Sequence, residues 1–518
     1  MDLTIEFSRE SARERPGLAK NLCTSGGEMY RQESPNQLNF EDFYLPFGGH
    51  LSPENRWVRL AELIPWDEFE ASYADQFAQS GQGAPAKPFR LALGSLIIKE
   101  KLDITDEETV EQIRENHYLQ YFVGMEGYQD EELFDPSMMV HFRRRITVEM
   151  LSEINERIHS ERVKKPLADQ ETEEAGAAEL NTGKLLVDAS CAPADIRYPT
   201  DISLLNEARE KTELIIDVLH EPLKGKETKA RTYRQQARKE YLSIVKRRNV
   251  GKKRLRKGLR KQLSYVRRNL IHIEKLAEKT PLSELSKKHY RDLLVISEVY
   301  RQQQLMYDQE SHRITGRIVS INQPHVRPIV RGKAGTPVEF GAKFTVSVID
   351  GYVFLERLSW ENYHEANDLI DHIERYRESY GHYPESVHVD KTYRNRRNLQ
   401  YCKLLGIRIS GPALGRPPKE SEKLKQQKRQ IREDEVARIP VEGKLGNAKR
   451  RYGLDRIMAK RDDTSETVIG MIVLVMNMEK VLRDLLFVLF DRHTLAGQND
   501  LIRSVIAKLQ PDRYRKAA

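Results

Sequence analysis

Leu185–Ser190 reads LLVDAS, a short apolar run closed by an acid. It is the first segment with a strand's pattern after a long helical stretch. The next such runs are GRIVSI (Gly316–Ile321), KFTVSVI (Lys343–Ile349) and YVFLERLSW (Tyr352–Trp360). The last two are joined by Asp350-Gly351, a tight-hairpin signal. SVHVD (Ser386–Asp390) and IRISG then alternate with helical patterns at His364–Ser379 and Arg394–Leu405. Between the first strand and the rest, Ser203 to about Gln309 keeps a helical period with a sparse apolar seam. A chain so ordered must fold as an α/β domain whose sheet is interrupted by a long helical hairpin.

Upstream the pattern is helical throughout. Phe89–Leu102 has the apolar density of a buried helix, Thr105 and Glu108 have capping-box spacing, and Asp135-Pro136 opens a third helix expected to run through Ile158. The expected organisation is an extended or disordered arm (1–50), an all-α N-terminal domain (51–163), a polar linker (164–182), and an α/β domain (183–495). That domain carries the insertion at about 203–309, and a C-terminal tail (496–518) follows. The apolar segment Thr467–Phe490 is expected as a core helix or strand.

Charge is unevenly distributed. The chain has 518 residues and a formal charge of +8, yet Lys224–Lys275 holds 20 Lys/Arg against Glu227, Glu240 and Glu274. This local balance of +17 leaves the remainder acidic. Such density attracts a polyanion through counterion release, which points to a nucleic-acid backbone, with a solvated helical arm as the bland alternative. Lys252, Lys253, Arg254, Arg256 and Lys257 are its densest cluster. In the N-terminal domain Asp103–Asp135 holds eleven acids against Arg114, so Arg143, Arg144 and Arg145 are the better phosphate candidates there. The cysteines are Cys23, Cys191 and Cys402, which make neither a disulfide framework nor a zinc spacing. The start MDLTIEFSRESARERPG lacks a secretory apolar run, and VIGMIVLVM (Val468–Met476) is about half of the roughly 20 residues a membrane span needs. A cytoplasmic protein without a membrane role is expected.

Two strand patterns end in acids, at Asp188 and Asp390, and a helix near 431–441 leads into Glu442. Carboxylates at the ends of adjacent strands can converge on a pair of Mg²⁺ ions about 3.5–4 Å apart, which activate an attacking oxygen and stabilise a leaving one in phosphodiester displacement. The competing reading is that such acids cap the turns that follow them. Arg438 and Lys449 fall near one face with Glu442, either as phosphate-gripping neighbours or as an ordinary i,i+4 salt bridge. Pro440 allows the helix to begin there, which would leave Arg438 on its entrance loop.

The segments VDASCAPADIRYPTDISLLNEARE, SINQPHVRPIVRGKAGTPVEFGAKFTVSVIDGYVFLERLSW, YPESVHVDKTYRNRRN and IPVEGKLGNAKRRYGL closely resemble bacterial insertion-sequence transposases, in particular the IS-five branch of the DDE superfamily. The likeness extends from about Pro88 to the C-terminus. It implies an RNase H-like catalytic domain behind a helical N-terminal domain, with Mg²⁺-dependent cleavage at element ends and transfer of the 3′-OH into target DNA (two ions, with Mn²⁺ an alternative). It assigns the acidic triad to Asp188, Asp390 and Glu442. In HVDKTY, Thr392 stands where the family commonly has Gly. In the family's Y-x2-R-x3-E-x6-K signature Arg438, Glu442 and Lys449 fit, whereas Glu435 stands at the Tyr position.

Lys391, Tyr393, Arg394, Arg396 and Arg397, beside Asp390, are further candidates to grip DNA. The implied partners are double-stranded DNA, as terminal inverted repeats and target, and a second copy of the chain in the synaptic complex. The implied setting is the bacterial nucleoid. Alternatives are a repurposed DNA-binding protein without catalysis, and a nuclease on the same fold.

Overall fold

The computed structural model describes residues 40–45, 48–77, 85–167, 181–330, 338–411 and 422–509. Most of the expected arm and linker, and the last residues of the expected tail, lie outside these.

The N-terminal part is helical: α1 (Arg56–Leu63), α2 (Trp66–Ala74), α3 (Phe89–Leu102), α4 (Asp106–Glu115), α5 (His117–Phe122), α6 (Met138–Arg145) and α7 (Val148–Leu167). Side-chain caps fix several starts. Asn55 accepts from the backbone N–H of Trp57, Thr105 from that of Glu108, and Asn116 from that of Tyr118. Helix α3 buries ten of its fourteen residues, as an all-round apolar helix must. The single helix expected beyond Pro136 is instead broken. Ile146 is extended, fully buried, and its carbonyl accepts from Thr467 Oγ at 2.9 Å. That tertiary bond competes successfully with helix continuation.

The break also changes the reading of three arginines. Arg143 is 8% exposed and paired with Asp106, Arg144 lies 3.6 Å from Asp463, and Arg145 lies over the Phe77 ring. Arg143 is an internal fastener and Arg145 is engaged by an aromatic ring, which leaves Arg144 as the exposed member of the three.

Strand β1 (Lys184–Pro193) opens a mixed sheet with β2 (Arg327–Val330), β3 (Val338–Ile349), β4 (Tyr352–Ser359), β5 (Ser386–His388) and β6 (Arg408–Ile409). The order is β2-β3-β1-β5-β6, with β4 also on β3. The Asp350-Gly351 turn joins β3 to β4 as expected, with both residues at positive φ. The long β1–β3 ladder reaches Pro193 opposite Gly341. A Cβ at Gly341 would lie 2.0 Å from the Ala192 carbonyl oxygen, so only glycine permits the approach. GRIVSI forms no strand. Its Ile318 and Ile321 are buried instead against the insertion, where side-chain packing replaces ladder bonds.

Between β1 and β2 run α8 (Asp201–His220), α9 (Arg234–Val245), α10 (Lys252–Ala277) and α11 (Lys287–Asp308), a larger unit than the hairpin expected. Its apolar seams meet in small cores of their own, such as Leu205, Leu263, Val266 and Ile296. The exposed side of α10 carries the basic cluster. On the far flank of the sheet lie α12 (Leu369–Tyr380) and α13 (Arg396–Leu404). Helices α14 (Glu422–Arg451) and α15 (Asp462–Leu509) end the described chain, and α15 continues through residues assigned to the tail.

Helix α15 joins the two halves. The apolar run Val468–Met476 packs in one continuous core with α1, α3, α6, α7 and the Leu186–Val346–Val348 face of the sheet. The helices that precede the sheet in sequence therefore share its core rather than forming a separate body. Asn477 fixes this junction: its Oδ1 accepts from Val353 N, and its Nδ2 donates to Val353 O and Asn155 Oδ1. Among the described residues no helix is long and apolar enough to cross a membrane.

Candidate active site

Parallel pairing places Leu186 of β1 beside His388 of β5. Asp188 and Asp390 each lie two residues beyond this last pair, one on β1 and the other just past the end of β5. Asp188 is not at a strand tip as expected. It lies mid-strand opposite Val346, because the small residues after it extend β1 along β3 to Gly341. Asp188 Oδ1 accepts from Ala189 N at 2.9 Å. Asp390 follows the end of β5 and its side chain accepts from Lys391 N at 2.6 Å, capping the 3-10 turn Lys391–Tyr393. The turn-capping role is thus present, and half of the carboxylate's surface stays open to solvent. Tyr393 packs beneath this corner. Burial, then the negative charge of Asp188, pushes its phenol far above the ordinary range.

Glu442 comes from α14, whose course differs from the expected one. The helix does not begin at Pro440 but runs through it, so Arg438 and Glu442 sit one turn apart. Pro440 deprives the Val436 carbonyl of its helical partner, and Val436 is exposed, so the missing bond is not a buried one. Val441 and Ala448 bury the opposite side of α14 in the main core. Arg438 points to the corner: its guanidinium is 3.9 Å from Asp390 Oδ1 and 3.7 Å from Glu442 Oε1. One cation thereby links two of the three acids.

Asp434, one turn before Arg438, was not singled out in the sequence. It is 4% exposed, pairs with Arg408 of β6, accepts from Gly411 N, and lies 3.9 Å from His388 Nδ1. It clamps α14 across the strand ends. The i,i+4,i+8 series Asp434–Arg438–Glu442 was the available signal. His388 itself is buried and bonded to Ser386 Oγ, a packed strand histidine. Cys191 and Cys402 are buried and form no disulfide among the described residues.

The expected DNA-gripping residues divide. Lys391, Arg396 and Arg397 are exposed around Asp390. Arg394 is not available: it donates to the Ile409 and Ser410 carbonyls and closes the β6 turn. Lys449 is half-buried on α14, two turns beyond Glu442. Lys252, Lys253, Arg254 and Lys257 are exposed on α10, distant in sequence from the acids. Arg256 is engaged by Glu310 and the Tyr307 ring.

The ligand set is all carboxylate, the chemistry a hard divalent cation prefers. Among the described residues, however, no three His, Cys, Asp or Glu side chains are close enough together to hold a metal ion. The donors fit the ion in kind and share a corner, with Arg438 as the cation now among them.

Residues 387–479 match the transposase DDE domain family, a span that includes Asp390, Arg438, Glu442 and Lys449. Residues 46–145, covering α1 to α6, match a transposase domain, DUF772. The chain is also 32% identical over 158 residues to an uncharacterized protein, ORF8 in the nfe locus of Rhizobium meliloti, covering 30% of this chain and 71% of that protein. No solved structure matches it. These two matched domains indicate a transposase with a DDE domain.

Proposed function

We propose that the protein is the transposase of an insertion sequence of the IS-five branch, cutting DNA at the element's terminal inverted repeats and joining the 3′ ends to target DNA. The observation that carries this reading is that Arg438 of α14 reaches both Asp390 and Glu442, while Asp188 lies on the strand paired to β5. An RNase H-like catalytic core is the fold consistent with a long β3, a parallel β1–β5 pair and an acid on each.

Asp188, Asp390 and Glu442 would hold the divalent ions, Mg²⁺ or Mn²⁺, which supply an activated oxygen nucleophile and a stabilised leaving oxygen for in-line displacement. The chain's own residues do the rest. Arg438 exchanges its carboxylate partners for a DNA phosphate, a move that frees Asp390 and Glu442 as ligands. Lys449, Lys391, Arg396 and Arg397 hold the backbone beside the scissile bond. The basic face of α10 adds a grip that positions DNA without reading its bases. Synapsis of two ends calls for two copies of the chain, and the reaction belongs at the bacterial nucleoid.

Occupancy of the acids by Arg438 favours a second reading, a transposase-derived DNA binder without catalysis. A DNA fragment carrying the element's ends, incubated with protein and Mg²⁺ or Mn²⁺, separates them. Cuts at the ends with joined products support transposition, cuts without joining indicate a nuclease, and binding without cuts indicates the binder.

A further inference from the structure

A groove of about 810 Å³ opens where the insertion meets the sheet, on the side to which β1 runs after Asp188. One wall is the segment that follows β1, including Arg197 and Tyr198; another is the first turn of α11, with Lys287 and Lys288; Lys460 reaches it from the approach to α15. Arg197, Lys287, Lys288 and Lys460 are exposed. The three lysines pair with no carboxylate among the described residues. The groove's three acids are outnumbered by the six Lys/Arg of its lining: Asp195 pairs with Arg456 at 2.6 Å, while Glu210 shares Arg209 with Glu213 and Glu207 shares Lys211 with Asp292. The net character left for a visitor is cationic, and it comes from three separate elements.

Tyr198 is the unusual member. It is 71% exposed although it lies in a lined groove, and it stands edge-on to Phe340, ring centroids 5.5 Å apart at 90°. Phe340 braces the ring on one side, and at 71% exposure most of the Tyr198 surface stays open to a stacking partner. An aromatic face between unpaired cations is what a single nucleic-acid strand uses, with a base stacked on the ring and phosphates on the lysines. The groove lies in the usual size range of a small-molecule site, which suits a few nucleotides and not a duplex. Five residue steps along β1 lead from Asp188 to Pro193. At a strand's rise of about 3.3 Å this is roughly 17 Å, on the order of five nucleotides of one DNA strand.

We propose that this groove binds a single DNA strand leaving the acidic corner, with a base stacked on Tyr198 and the backbone held by Arg197, Lys287, Lys288 and Lys460. The choice of DNA rests on the transposase reading; the strand-binding chemistry is tested apart from it. Full-length protein is titrated, without divalent metal, into labelled oligothymidylate and into a labelled duplex of equal length. Tyr198→Ala should weaken single-strand binding roughly tenfold and leave duplex binding within about twofold, while Tyr198→Phe keeps both. Lys287→Ala with Lys288→Ala should lessen the salt dependence of single-strand binding by a slope of about 1.4. Unchanged single-strand binding by Tyr198→Ala, or an equal loss on both DNAs, overturns the proposal. If wild type cuts and joins end DNA while Tyr198→Ala binds strands normally, the groove alone fails. If strand binding needs Tyr198 but wild type never cuts, the catalytic reading alone fails.

Discussion

The guanidinium of Arg438 stands 3.9 Å from the carboxylate of Asp390, joining a side chain of α14 to one that follows β5. Since Glu442 is 3.7 Å from the same guanidinium, Arg438 screens two acids that would otherwise repel. A divalent ion must compete with this cation for the carboxylates. Arg438→Gln should therefore tighten Mn²⁺ binding to the DNA-free protein several-fold, by calorimetry. It should also slow metal-dependent DNA cutting at least tenfold, because the phosphate loses its arginine. Unaltered Mn²⁺ affinity would show that Arg438 does not guard the acids.

Asn477 ties α15 to the backbone of Val353 through two hydrogen bonds and to Asn155 of α7 through a third. All three groups are buried. Asn477→Leu takes the partner from the Val353 N–H and from Asn155 Oδ1, while Asn155 Nδ2 still donates to the Val353 carbonyl at 3.0 Å, so the cost is about 2–4 kcal/mol. Urea unfolding should show this loss in a transition shared by both halves, since both contribute to one core. Two separate transitions, only one of them shifted, would contradict a common core.

Glu100, on α3, is buried with Lys99 at 3.0 Å. Burial raises its pKa, and Lys99 offsets this only in part. A carboxyl with a raised folded-state pKa costs stability above that pKa, and the cost fades as pH falls toward the unfolded value near 4.5. Glu100→Gln should then melt higher than wild type at pH 7, with the difference shrinking toward pH 4.5. A difference that grows on acidification would reverse the sign.

Much of this was legible because apolar periodicity and turn chemistry are local. The Asp350-Gly351 hairpin, the all-round apolar α3 and the alternation of strands with helices follow from residues a few positions apart. What was illegible depended on distant partners. Nothing near Ile146 announces that Thr467 will take its carbonyl, and nothing near Asp188 announces that β3 will carry the strand five residues further. The arginines Arg143 and Arg394 read as free cations until Asp106 and the β6 carbonyls are placed beside them. Pro440 was legible as a helix breaker, but its exposure decides that the helix survives it. The acids themselves were found through family resemblance, while their approach to one another came from the β1–β5 register and the long reach of Arg438.

The central claim is that Asp188, Asp390 and Glu442 act together on a DNA phosphodiester with divalent metal. DNA bearing the element's two ends, incubated with purified protein and Mg²⁺ or Mn²⁺, tests it when wild type is run beside Asp188→Asn, Asp390→Asn and Glu442→Gln. Cutting at the ends by wild type is expected, with each variant folded, still binding the ends, and slowed by at least about a thousandfold. End cutting that persists in any one variant at the wild-type rate would contradict the account.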